Sequence, residues 1–203
     1  MKKIALIILI FVGINAYAQK GFRYGITAGL NVSSGILPEL DLNTNINSIL
    51  KGDRVVQGNP QLADFVFLYK AGIFLRYDGK VGSAKFNINY TTTNIKKTLD
   101  LHIFNAEILD IDLRYLDFDL TYQLNIFKHF YINLGYVPAI LLSDNVSLAD
   151  VQKIDSRVLS GIGFKLFNGV TLDMNAVIGI KEVIEDSYVH NVMIPVTLNI
   201  PLN

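Results

Sequence analysis

From Phe22 onward, apolar and polar positions alternate along most of the chain. In Phe22–Val32 every even position is apolar and every odd position is glycine or polar. A period of two predicts a strand with two unlike faces. The same pattern recurs over 69–77, 84–91, 116–124, 130–136, 157–166, 170–180 and 191–200. That predicts eight strands, each near the ~9–11 residues that cross a bilayer at a tilt. Phe74 falls on the polar face of its strand and breaks the alternation.

The connections alternate as well. Asp78-Gly79-Lys80, Asn125 to Lys128 and Phe167-Asn168-Gly169 read as tight hairpins, with Asp-Gly and Asn-Gly offering positive φ. Ser33 to Ala63, Asn94 to Ala106, Ser143 to Asp155 and Glu182 to Val189 are longer. An even number of strands with short turns at one end and long loops at the other predicts an all-β fold. The expected form is an eight-stranded antiparallel up-and-down transmembrane β-barrel, with short periplasmic turns and longer extracellular loops. Within the second long connection, Ile108 to Arg114 alternates too, but the phase flips at Tyr115-Leu116. This predicts a hairpin of Glu107 to Arg114 against Ile95 to His102 outside the bilayer, and a bulge near Tyr115. Leu42, Ile46, Ile49 and Leu50 have helical spacing after Asp41 and predict a short surface helix in the first loop.

A soluble barrel would turn the same apolar face inward. Three features favour lipid. The polar face is rich in glycine (Gly25, Gly29, Gly72, Gly135, Gly161, Gly163, Gly179), as a tight lumen requires. Tyr24, Tyr77, Tyr122 and Phe130 lie at one level of the apolar faces and Tyr69, Tyr90 and Tyr136 at the other, like two interfacial girdles. The asymmetry of the loops has no purpose in a soluble barrel. With the apolar face outward, Arg23, Lys70, Arg76, Lys85, Asp117, Asp119, Arg157, Lys165, Asp173 and Lys181 project into the lumen. Buried charges have to be paired, so a structural salt-bridge network is expected there, with an ion or solute path as the sharper alternative.

Composition then narrows the setting. Met1-Lys2-Lys3, the apolar run Ile4 to Ile14 and the small-x-small site Ala16-Tyr17-Ala18 form a secretory signal in order. Residues 1–18 are therefore expected to be cleaved, leaving 19–203 as one domain bound for the bacterial outer membrane. No other segment reaches the ~18 uninterrupted apolar residues of a spanning helix. The 18 basic and 18 acidic side chains balance, and no basic patch points to nucleic acid. With no cysteine, thiol chemistry, disulfides and lipidation at a signal-proximal cysteine are excluded.

Candidate chemistry is sparse. Glu185, Asp186, Ser187 and His190 share the last long loop, where a membrane-embedded hydrolase places serine and histidine, but no Gly-x-Ser-x-Gly elbow accompanies them. A polar loop tip is the simpler reading. His102 and His129 fall in an outer loop and beside a periplasmic turn. Asp110 and Asp112 share a strand face and read as solvated carboxylates or a weak cation site. No catalytic residue, metal ligand or cofactor is assigned.

The motifs also carry a family resemblance. Tyr24-Gly25-Ile26-Thr27-Ala28-Gly29-Leu30-Asn31-Val32-Ser33 resembles the opening strand of PorT-like outer-membrane barrels of Bacteroidetes. Tyr115-Leu116-Asp117-Phe118-Asp119-Leu120-Thr121-Tyr122 is similar to a later strand of that family, with Asp119 where proline is usual. Leu134 to Pro138, Leu141-Leu142-Ser143 and Gly161-Ile162-Gly163-Phe164 resemble the strands that follow. The resemblance implies fold and location and no catalytic residue.

The expectation is a non-enzymatic outer-membrane barrel with a structural or interaction role through its outer loops, accessory to envelope biogenesis or secretion. Its partners would be membrane lipid and lipopolysaccharide, the barrel-insertion machinery, and an envelope protein met by the loops. The alternatives are a hydrolase acting on lipid A or phospholipid, and a narrow channel for small solutes.

Overall fold

The computed structural model describes residues 21–37, 61–100, 105–145, 151–184 and 189–203, with the backbone alone for 61, 98–100 and 105–109. The signal segment 1–18, the helix expected after Asp41, His102, and Glu185, Asp186 and Ser187 lie outside the described residues.

The strands are β1 (Phe22–Leu37), β2 (Gln61–Leu62), β3 (Val66–Asp78), β4 (Gly82–Asp100), β5 (Asn105–Asn125), β6 (Phe130–Asp144), β7 (Ile154–Lys165), β8 (Thr171–Gly179) and β9 (His190–Pro201). Consecutive strands pair antiparallel from β3 to β9, and β1 pairs with both β3 and β9. The ladder therefore closes into an eight-stranded up-and-down barrel, and closure removes the unpaired edges. β2 is a two-residue addition to the outer end of β1. The closing seam runs from Gly25 opposite Pro201 to Ile36 opposite His190.

Alternation decides which side chains face lipid. Leu30, Tyr69, Ile73, Leu120, Leu134 and Val158 point outward and are exposed. They belong to a continuous apolar belt, whereas soluble monomers keep such patches to about a few hundred Å². Aromatic pairs edge the belt: Phe22 against Tyr77 (centroids 4.8 Å) and Phe130 against Phe164 (5.4 Å) at the turn end, and Tyr69 against Tyr90 (6.0 Å) towards the other.

Of the two turns expected to use positive φ, one does so and the other does not. Asn168 (φ 49°) and Gly169 (φ 79°) adopt the left-handed conformation, closed by Val170 N–H to Phe167 O at 2.9 Å. Gly79 does not have positive φ. Its turn is held instead by Gly79 N–H to Gly82 O at 2.9 Å and by the Ser83 hydroxyl on Asp78 at 2.7 Å. The extra length of the loop 79–81 removes the need for a mirror-image turn.

At the opposite end β4 and β5 run past their neighbours. Their 19 and 21 residues contrast with 9 in β8. The stretch 94–106 is thus mostly ladder, pairing from Asn94 opposite Asp112 to Asp100 opposite Asn105. The bulge near Tyr115 is present, but the extra residue lies on β6: Arg114 faces Ser143 and Tyr115 faces Leu141, skipping Leu142.

β5 keeps one phase throughout. Ile111, Leu113, Tyr115, Asp117, Asp119, Thr121 and Gln123 all point inward and are buried. What changes at Tyr115-Leu116 is chemistry and not register. Below it the strand is polar inside and apolar outside. Above it Asp110, Asp112 and Arg114 are exposed, while Ile111, Leu113 and Tyr115 join Leu37, Ile95, Ala139, Val183, Ile184 and Val189 in an apolar cluster. The barrel is inverted where lipid surrounds it and conventional where water does, because each face takes the polarity of its surroundings.

Candidate functional site

The lumen below this apolar cap is a packed electrolyte. Nearest the cap, Arg157 on β7 donates through Nε to Asp155 Oδ2 at 2.6 Å and through NH1 to Asp117 Oδ1 at 3.0 Å. Its guanidinium lies 4.2 Å from the centre of the Tyr115 ring. Across the lumen, Lys70 on β3 reaches Asp117 at 3.4 Å and Asp119 at 3.0 Å. Thr91 donates to Asp117 at 2.6 Å, and Asn87 and Asn89 donate to Asp119 at 3.2 and 2.9 Å. The result is a continuous chain Asp155–Arg157–Asp117–Lys70–Asp119 across three strands.

A second cluster lies nearer the turns. Lys85 donates to Asp173 Oδ2 at 2.5 Å, and Tyr131 donates to Asp173 Oδ1 at 2.5 Å. Asn133 and Asn199 add donors to the same carboxylate at 3.3 and 2.9 Å. Tyr131 reaches this position because the facing residue on β7 is Gly163. A Cβ on Gly163 would collide with the Tyr131 ring.

Inside, three cations, Lys70, Lys85 and Arg157, sit among four carboxylates, Asp117, Asp119, Asp155 and Asp173, all at most 5% exposed. An unpaired charge here would cost several kcal/mol, and the distances above show how each is compensated. Space is filled too. The void between Lys70, Lys85 and Asp119 is about 10 Å³, about the room one water needs. Val137, Leu159, Val177 and Met193 form an apolar patch on the same inner wall.

Seven of the ten charges placed in the lumen by alternation are buried there: Lys70, Arg76, Lys85, Asp117, Asp119, Arg157 and Asp173. Arg23 and Lys165 lie at the mouth on the turn side. Arg23 pairs with Asp78 at 2.9 Å, and Lys165 donates to Asn125 at 2.7 Å. Lys181 is a correction. It follows the end of β8 and is exposed at the opposite end, because the strand stops at Gly179 and alternation no longer steers the side chain.

Asp155 was missed because it ended a presumed loop. Its position two residues from Arg157 on the same strand face was the available signal. The asparagines and Tyr131 were read only as polar-face residues, and nothing local reveals which carboxylate each one serves. Asp110 and Asp112 are exposed on the hairpin, and the Asn94 amide donates to both, at 2.6 and 2.5 Å. His190 opens β9 and is half-buried.

These features define the class: a closed eight-stranded β-barrel of the outer-membrane type, polar within and apolar without. No protein-family model matches the chain, and no curated protein matches it in sequence. Among solved structures it is similar to Ail, the attachment invasion locus protein of Yersinia pestis. The identity is 11% and the TM-score 0.46, over 89% of this chain and 98% of that one. A second structure of Ail, in complex with the heparin analogue sucrose octasulfate, matches with 11% identity, a TM-score of 0.44 and the same coverage.

Proposed function

We propose that the protein is a non-conducting, non-enzymatic barrel of a bacterial outer membrane that acts through its outer end as an interaction platform. One observation carries this reading: the polarity of β5 inverts on both faces between Arg114 and Asp117. A folded, water-facing structure with its own apolar core stands on one end of the barrel, whereas the other end stops at tight turns. Rigid scaffolds concentrate contacts on such projections. Among the described residues, the 19- and 21-residue strands β4 and β5 supply the largest one.

On this reading residues 1–18 are a signal cleaved after Ala18, and outer-membrane lipid and lipopolysaccharide surround the belt. An envelope protein meets the hairpin. The likeness of Tyr24–Ser33 and Tyr115–Tyr122 to PorT-like barrels supports the fold and the location, and the role in envelope biogenesis or secretion is part of the proposal. The filled lumen, in which every buried carboxylate has a cation partner, favours a plug over a channel.

The chain has no cysteine, so a single introduced thiol reports unambiguously. In intact cells, Asp112→Cys is expected to react with a membrane-impermeant maleimide and Lys128→Cys is not. The reverse pattern, or labelling of neither in cells that display the protein, would reject the assignment of the outer end. In planar bilayers the purified chain is expected to give no conductance steps; reproducible steps would overturn the plug.

A further inference from the structure

The end of the barrel that carries the tight turns opens into a vestibule of about 320 Å³. Among the described residues, its lining includes Arg23, Arg76, Lys128, His129 and Lys165, and a single carboxylate, Asp78. Asp78 is shared: its Oδ2 lies 2.9 Å from Arg23 Nε and its Oδ1 3.0 Å from Arg76 Nε. The next carboxylate inward, Asp173, is already matched by Lys85 at 2.5 Å. Four permanent cations therefore face one carboxylate.

Arg76 is the informative member. It is only 4% exposed, and its guanidinium donates to Gly169 O at 3.3 Å. Nε lies 3.0 Å from Asp78 Oδ1 as an ion pair, yet among the described residues this N–H makes no hydrogen bond. A buried guanidinium with an unsatisfied N–H and half a counter-charge is costly unless an anion completes it.

We propose that this vestibule is a dead-end binding site for a phosphate monoester. The charge excess calls for a dianion, and a phosphate monoester carries about −1.5 to −2 at neutral pH where a carboxylate carries one. Two guanidinium groups flanking one cavity suit the tetrahedral oxygens of phosphate. The volume lies at the small end of ligand pockets, so the ester carries a short organic group. The packed charge layers above the vestibule make it a receptor and not a pore entrance. The same chemistry is offered by a soluble ester and by a lipid phosphomonoester headgroup in the adjacent leaflet.

The test uses the full chain folded in detergent micelles and titrated calorimetrically with glycerol 3-phosphate, with acetate as control. Saturable binding is expected for glycerol 3-phosphate, weakened about tenfold or more by Arg76→Gln and by Lys165→Gln, each removing a charge-assisted hydrogen bond. Lys165→Gln lies at the mouth, and its folding is checked by heat-modifiable gel migration. The same titration in nanodiscs separates the sources. If phosphatidic acid in the disc competes with glycerol 3-phosphate, the lipid is the ligand; if it does not, the soluble ester is. Absence of saturable binding, equal binding of acetate, or Lys165→Gln binding like the parent overturns the proposal. A conducting lumen would reject the plug, and with it the dead end, while leaving phosphate binding in the vestibule standing.

Discussion

Arg157 NH1 and Asp117 Oδ1 are 3.0 Å apart with both side chains fully buried, and Asp117 also stands 3.4 Å from Lys70. Asp117 is therefore the joint between two cations on opposite walls. Replacing it by asparagine removes the charge that both cations share. Asp117→Asn is expected to destabilise the barrel by about 3–5 kcal/mol, read from urea unfolding in lipid vesicles. A loss below ~1 kcal/mol would show that the joint is not structural.

The contact between Tyr131 and Gly163 makes a different demand. Any Cβ at 163 meets the Tyr131 ring, and that ring cannot swing away without abandoning Asp173 at 2.5 Å. Gly163→Ala is expected to cost about 1–3 kcal/mol from overpacking. The cost should shrink in a Tyr131→Ala background, which a double-mutant cycle measures as a favourable coupling. Additive losses would mean that the two sites are independent.

The polarity inversion along β5 sets two outward positions against each other. Leu120 is 51% exposed and faces the belt, whereas Arg114 is exposed beyond it. Leu120→Arg is expected to cost about 2–4 kcal/mol in vesicles, while Arg114→Leu stays within about 0.5 kcal/mol. Equal effects at both positions would remove the proposed boundary.

The apolar cap above the lumen should behave as an ordinary hydrophobic core. Leu113 is fully buried among Ile95, Ile111 and Tyr115. Leu113→Ala is expected to cost about 2–5 kcal/mol. Hydrogen exchange should speed up in the outer parts of β4 and β5 and not around Asp173. Uniform acceleration would show that cap and lumen unfold as one unit.

Strand number, the order of short and long connections and the choice of inward positions were legible in the sequence, because a period of two is enforced residue by residue by the pleat. Seven of the ten lumen charges followed from that parity alone, and Phe74 breaks it visibly because it is an apolar residue packed inside beside Gly25. Parity could not assign partners. Whether Lys85 meets Asp173 or Asp119 depends on the stagger with which β1 and β9 close the ring, and closure involves strands far apart in sequence. Nor could alternation tell a slipped register from an unchanged register whose surroundings change. At Tyr115-Leu116 both give the same string of apolar and polar letters, and only the neighbours in space separate lipid from a second core. The vestibule is likewise a product of closure: Arg23, Arg76, Lys128 and Lys165 come from four separate segments, and it is the ring that gathers their charges around one carboxylate.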